Sequence, residues 1–300
     1  MPDVPGDALE LVEIHDRSFQ KWSVDRRVYC VPVDEVEEER LGTQHDLVTA
    51  QFGSLYIAPV PNPSRVLDCG YGQGNWAVRM AEYFEDSEVH GIDIYPISLP
   101  DEPENLELFC DDLNSRLTET YQQNYYDLIH SRFVQSGIKT RRWPTYAKDL
   151  ARLTRRGGYV QMAEWYLNFQ SDSGRLTESH ALTQWYTLYQ GACQQMNRNP
   201  RVGRELRRYL QDAGLQDIHD FCYRVPIGAW SAEPALQEIG RQALENFIPL
   251  LESHAIYPFT TCHGWTAEQV QWLRQRAEHE MNDLTLKIYV PLYVAWGRRP

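Results

Sequence analysis

Val66-Leu67-Asp68-Cys69-Gly70-Tyr71-Gly72-Gln73-Gly74 is a short apolar run that closes on an acid and then breaks into glycine at every second position. The breaker-rich stretch 59–64 precedes it, so residues 65–69 read as a strand. Residues 73–84 follow with Trp76, Ala77, Met80, Ala81 and Phe84 at helical spacing, an amphipathic helix. Strand, glycine turn and helix in this order make a nucleotide-binding corner. Glycine lets the backbone turn tightly and approach a ligand that a Cβ would exclude, and the helix start offers free N–H groups to an anion.

Working outward, further strands are expected over 88–93, 106–110, 126–131 and 159–164, with a helix over 145–153. Arg155-Arg156-Gly157-Gly158 carries the cations and glycines of a helix C-terminus. Strands alternating with helices through short turns imply parallel pairing, because parallel neighbours cannot be joined by a hairpin. The fold expected is an open α/β sheet with helices on both faces. Beyond residue 176 the helices lengthen (176–198, 203–213, 235–251), with strands over 216–225 and 285–296. No low-complexity linker or internal repeat interrupts this, so residues 26–300 are expected to form one domain, with 226–281 as a helical lid insertion and 1–25 as a flexible arm.

The composition, 42% hydrophobic and 24% charged, is that of a globular chain, and no apolar run approaches the roughly 20 residues that cross a bilayer. No membrane association is expected, and the acidic start lacks the features of a signal peptide, so a cytoplasmic location is expected. A formal net charge of −13 repels a phosphate backbone, which argues against nucleic acid as a partner. The six cysteines include no C-x-x-C pair and read as buried hydrophobes rather than as a zinc site, so no metal is expected.

The spacing of the corner decides its ligand. A dinucleotide fingerprint G-x-G-x-x-G would place glycine at position 75, where Asn75 stands. Asp93, closing the second strand in His90-Gly91-Ile92-Asp93-Ile94, lies about 20 residues past the glycines, the usual distance of a ribose-binding acid. Cys110-Asp111-Asp112-Leu113 closes the third strand at the same edge of the sheet.

Asp68-x-Gly70-x-Gly72-x-Gly74 resembles the first motif of class I methyltransferases. The segments 29–34, Arg40-Leu41 with Gln44-His45, 126–132, 156–160, 225–230 and 290–298 narrow the likeness, from Tyr29 to the C-terminus, to the fungal LaeA-like methyltransferases. The resemblance implies a Rossmann-like, mostly parallel seven-stranded sheet that binds S-adenosyl-L-methionine and releases S-adenosyl-L-homocysteine. It implies cofactor contacts from Asp68, Gly70, Gly72, Gly74, Asp93, Ile94, Asp111, Asp112, Leu113, Ser131 and Tyr29, with Asp112 preferred over Asp111 for the adenine amino group because Leu113 follows it. Arg132 is a further candidate contact.

Methyl transfer needs alignment more than a base, yet a hydroxyl acceptor would gain from one. His130, at the end of the fourth strand, and His45, on a helix before the first, are the candidates, with His254 and His263 in the expected lid as lesser alternatives; a histidine that only supports the backbone is the competing reading for His130. Trp165, Tyr166, Tyr257 and Phe259 are candidates for an aromatic acceptor pocket, while Trp185, Tyr186 and Tyr189 have core spacing. The function expected is methylation of a small molecule in fungal secondary metabolism. The alternatives are a LaeA-type nuclear regulator working through protein partners, or a cofactor-binding protein that catalyses a non-methylating rearrangement. The sequence leaves acceptor atom and oligomeric state open.

Overall fold

The computed structural model describes residues 9–300. Its elements in chain order are β1 (Leu11–Ile14), β2 (Arg17–Gln20), α1 (Lys21–Asp25), α2 (Glu35–Phe52), β3 (Arg65–Cys69), α3 (Asn75–Tyr83), β4 (Glu88–Asp93), β5 (Leu106–Cys110), β6 (Tyr126–Arg132), α4 (Trp143–Leu153), β7 (Thr154–Trp165), β8 (Gln170–Ser171), α5 (Ala181–Gln195), α6 (Leu206–Asp212), β9 (Gln216–Pro226), α7 (Pro234–Ser253), α8 (Ile256–His263), α9 (Ala267–Asn282) and β10 (Ile288–Arg298). Eight strands make the main sheet in the order β5-β4-β3-β6-β7-β10-β8, with β9 also paired to β10. The first five are mutually parallel, and β10 runs antiparallel to its neighbours. Within this sheet the two-residue β8 is the one strand beyond the seven expected.

Side chains alternate across a strand, and here that alternation fixes the two helical layers. Val66, Val89 and Leu128 pack with Trp76, Ala77 and Met80 of α3 on one face. Leu67, Cys69, Ile92 and Ile129 pack with Trp143, Tyr146 and Leu150 of α4 on the other. A third, larger core joins α5, α7, α8 and α9 to Leu47 and Val48 of α2. The order of strands reverses at β3, which sends β4 to one side and β6 to the other. Open α/β sheets bind ligands outside the carboxyl ends of the strands at such a point.

Two expectations need correcting. Gly157, at φ +78, does not end α4's last turn but sits inside β7, where the β6 pairing shifts register between Tyr126 and Leu128. Part of the expected flexible arm is folded: β1 and β2 form a hairpin, Phe19 is fully buried, and the Arg17 guanidinium forks onto Asp34 at 2.7 and 2.8 Å. Asp34 also caps α2 by accepting from the Glu37 N–H, so one carboxylate ties the hairpin to that helix. The remainder of the arm, residues 1–8, lies outside the described residues. Among the described residues no helix is long and apolar enough to cross a membrane, and no cluster of side chains could hold a metal ion.

Candidate cofactor site and adjoining chamber

The carboxyl ends of β3, β4, β5 and β6 open into a cleft of about 1030 Å³, solvent at its mouth included. The glycine turn forms one wall. Gly70 and Gly72 hold φ of +83° and +57°, a region that costs other residues about 1 kcal/mol or more. A Cβ on Gly70 would stand 2.3 Å from Val134, which itself lines the cleft. The turn therefore excludes a side chain at Gly70, and its backbone forms this part of the cleft wall.

Asp93 stands where β4 ends. Its carboxylate accepts from the Gly72 N–H at 2.9 Å and the Tyr95 N–H at 3.0 Å, which locks the turn to the neighbouring strand. Burial pushes this carboxyl up to about 6, with the backbone donors pulling the other way. Ile94, Asp112 and Leu113 continue the same wall. Asp112 accepts from the backbone and side chain of Asn114 through Oδ1.

Opposite, the chain before and within α2 closes the cleft with Tyr29, Pro32, Leu41, Gln44 and His45. At its base Arg132 donates to His45 Nδ1 at 3.2 Å, and among the described residues no carboxylate comes within ion-pair distance of it. Burial lowers the guanidinium to about 10. The same burial, with the cation beside it, drops His45 to about 3, so its imidazole is neutral and accepts from Arg132. A base that weak does little for proton removal near pH 7. His45 lines the cleft as expected, but its chemistry is to hold Arg132.

Gly70, Gly72, Asp93, Ile94, Asp112, Leu113 and Tyr29 thus meet in one cleft; five other expected residues do not line it. Asp68 is 2% exposed and its carboxylate lies 2.9 Å from His130 Nδ1. The two are register partners on β3 and β6, so their side chains share a face, the one α3 covers. His130 stacks on Trp76 at 3.9 Å and 10°, turned into the core rather than toward the cleft. Ser131 points to the opposite face and bonds the Tyr146 hydroxyl. Gly74 caps α3 against Ile97 and Leu99, and Asp111 accepts from the Asp112 N–H.

A smaller chamber of about 460 Å³, solvent at its mouth included, adjoins the cleft. Tyr29, Leu41, Gln44 and Phe133 line both, so side chains alone part them. Trp165 lines the chamber, whereas Tyr166 packs on Tyr186, Tyr257 on Phe19, and Phe259 between Trp185 and Trp265. Those three fill the core. His254, a lesser base candidate in the sequence, also lines the chamber, whereas sequence reading missed Phe133, just after β6, and Glu164, in β7, which share no local motif.

A reversed parallel sheet, a glycine turn fixed to a strand-end carboxylate and a cleft at the reversal define a class I S-adenosylmethionine-dependent methyltransferase. Residues 45–220 match the methyltransferase domain family, and the chain belongs to it. It is 28% identical over 261 residues to "Methyltransferase pytC" of Aspergillus terreus, covering 85% of this chain and 79% of that one. It is 27% identical over 292 residues to "Protein-methionine methyltransferase laeA" of Emericella nidulans, covering 96% and 77%, and 29% over 282 to "Secondary metabolism regulator LAE1" of Cochliobolus heterostrophus, covering 92% and 91%. Among solved structures, phosphoethanolamine N-methyltransferase 2 of Haemonchus contortus aligns with a TM-score of 0.49 at 17% identity, over 85% of this chain and 52% of that chain.

Proposed function

We propose that the cleft holds S-adenosyl-L-methionine and that its methyl group goes to a small-molecule acceptor of secondary metabolism. The residues fit the cofactor from end to end. Gly70 and Gly72 carry the backbone through a left-handed turn at the cleft wall, and Asp93 offers a carboxylate to the paired ribose hydroxyls. Asp112 and Leu113 suit the adenine, one accepting from its amino group and the other packing on the ring. Arg132, without a carboxylate of its own, suits the carboxylate of the methionine part. The juxtaposition of Asp93 and this unpaired arginine in one cleft carries the reading.

The cofactor supplies an activated methyl group, so the protein has to bind, align and exclude water. Tyr29, Leu41 and His45 cover the cleft from the α2 side and do the excluding. Residues 226–281 act as the lid of the acceptor side, since Leu250 of α7 and His254 just beyond it reach the chamber. A cytoplasmic location goes with this reading. The regulator reading, with a nuclear location, draws support from relatives named as regulators. One experiment separates the two: the protein is incubated with methyl-labelled cofactor and either a fungal small-molecule extract or a protein extract. Label in a small molecule is expected; label confined to protein would refute the small-molecule reading.

A further inference from the structure

We propose that the chamber beside the cleft is the acceptor site and takes a flat, aromatic amine whose ammonium group pairs with Glu164. The proposal rests on the methyl-transfer reading above and deepens it. Glu164 lies at the end of β7, is 2% exposed, and lines the chamber. Its Oε1 accepts from the Val134 N–H at 2.9 Å, the Gln135 backbone N–H also donates to the carboxyl, and among the described residues no cation reaches ion-pair distance. A buried carboxyl with no cation is costly unless something compensates it.

The other ionisable groups around the chamber do not supply that compensation. Arg40 is already neutralised by Glu37 at 2.7 Å. Burial and the nearby Arg40 drop His254 to about 3, so it is neutral. Desolvation pushes the Tyr29 and Tyr189 phenols well above their ordinary range, so both are neutral. Once Glu164 ionises, only backbone donors face its charge, and a cation brought by the ligand is the partner that would hold it. Burial pushes Glu164 up to about 8, which makes it a proton acceptor matched to neutral or slightly basic conditions.

Aromatic groups complete the site. Phe133 and Trp165 stack at 5.2 Å and 4°, and Tyr189 lines the same space. Aromatic faces attract both a flat ring and an ammonium group. Phe133 holds φ +60°, a strained conformation for a bulky residue, and it stands on the boundary between chamber and cleft. Such strain is kept where a side chain must be aimed.

The protons balance. The entering ammonium displaces Glu164's proton to solvent and pairs with the carboxylate. It then breaks one N–H bond, passing that proton to the carboxylate and freeing the nitrogen lone pair. The nitrogen bonds the methyl carbon as the carbon–sulfur bond breaks, leaving a thioether, a methylammonium product and a protonated Glu164 as at the start.

The test uses the full chain saturated with S-adenosylhomocysteine, with phenethylamine and its neutral analogue 2-phenylethanol as probes. Calorimetry is expected to show the amine binding at least about tenfold tighter than the alcohol to wild type, and the ratio falling to about one in Glu164→Gln. In wild type alone, isotope-edited difference infrared spectra are expected to lose a protonated-carboxyl band when the amine is added and to keep it with the alcohol. This second measurement needs no variant to fold. An amine preference that is absent in wild type or persists in Glu164→Gln, or an unchanged carboxyl band, overturns the proposal. S-adenosylhomocysteine failing to bind wild type would instead overturn the methyl-transfer reading beneath it.

Discussion

Lowering the pH from 7 to 5 should weaken cofactor binding through a single group. Asp93 has to be ionised to accept from both ribose hydroxyls, and burial raises it to about 6 in the ligand-free cleft. At pH 7 nearly all of it is ionised; at pH 5 about one molecule in eleven is. If the bound carboxylate stays ionised, the dissociation constant rises about tenfold between these pH values, or about 1.4 kcal/mol. Other groups do not produce the same slope. His45, at about 3, stays neutral across the range, and Glu164, at about 8, stays largely protonated. The sign for folding is the reverse: the folded carboxyl holds its proton more tightly than the unfolded one, so rising pH from about 4 to about 6 makes Asp93 cost the ligand-free protein stability. Titration calorimetry with S-adenosylhomocysteine at the two pH values measures the effect. In Asp93→Asn the affinity should be lower and independent of pH over this range. A wild-type dissociation constant that does not move, or an equal slope in Asp93→Asn, would refute the role given to this carboxylate.

Three further outcomes follow from the same geometry. Arg132→Met should weaken S-adenosylhomocysteine by about tenfold or more while leaving 5′-methylthioadenosine, which lacks the carboxylate, nearly unchanged; equal losses for both ligands would count against the assignment. His130→Ala should lower the unfolding free energy by about 3 kcal/mol, because it leaves the buried Asp68 carboxylate without its donor. Urea denaturation reads that loss, and a methyl-transfer pH profile that changes shape would return His130 to the chemistry. Gly70→Ala should cost about 2 kcal/mol or more, from a left-handed backbone and from overpacking Val134; an unshifted urea midpoint would contradict the turn geometry.

The glycine turn and Asp93 were legible because both are local signals. A glycine at a positive φ and an acid at a strand end carry their reason in the chain around them. The helix α2 and its His45 could likewise be placed before the first strand. What failed was orientation. A parallel strand covered on both faces by helices reads as continuously apolar, so nothing local says that Asp68 and His130 face α3 rather than the cleft. The register of β3 on β6 decides that, and it is a long-range property. The aromatic residues failed for a related reason: Tyr166, Tyr257 and Phe259 look the same in sequence whether they line a chamber or fill a core. Glu164 escaped notice because an acid at the end of an apolar strand is unremarkable until its partners are counted. The hairpin at 11–20 was missed because the Arg17–Asp34 fork that anchors it joins residues seventeen positions apart.

A crystal structure of the chain grown with S-adenosylhomocysteine tests the central claim most directly. The ribose hydroxyls should lie within hydrogen-bond distance of Asp93, with the amino acid carboxylate on Arg132. Density for the nucleoside elsewhere, or a ribose facing away from Asp93, would contradict the account.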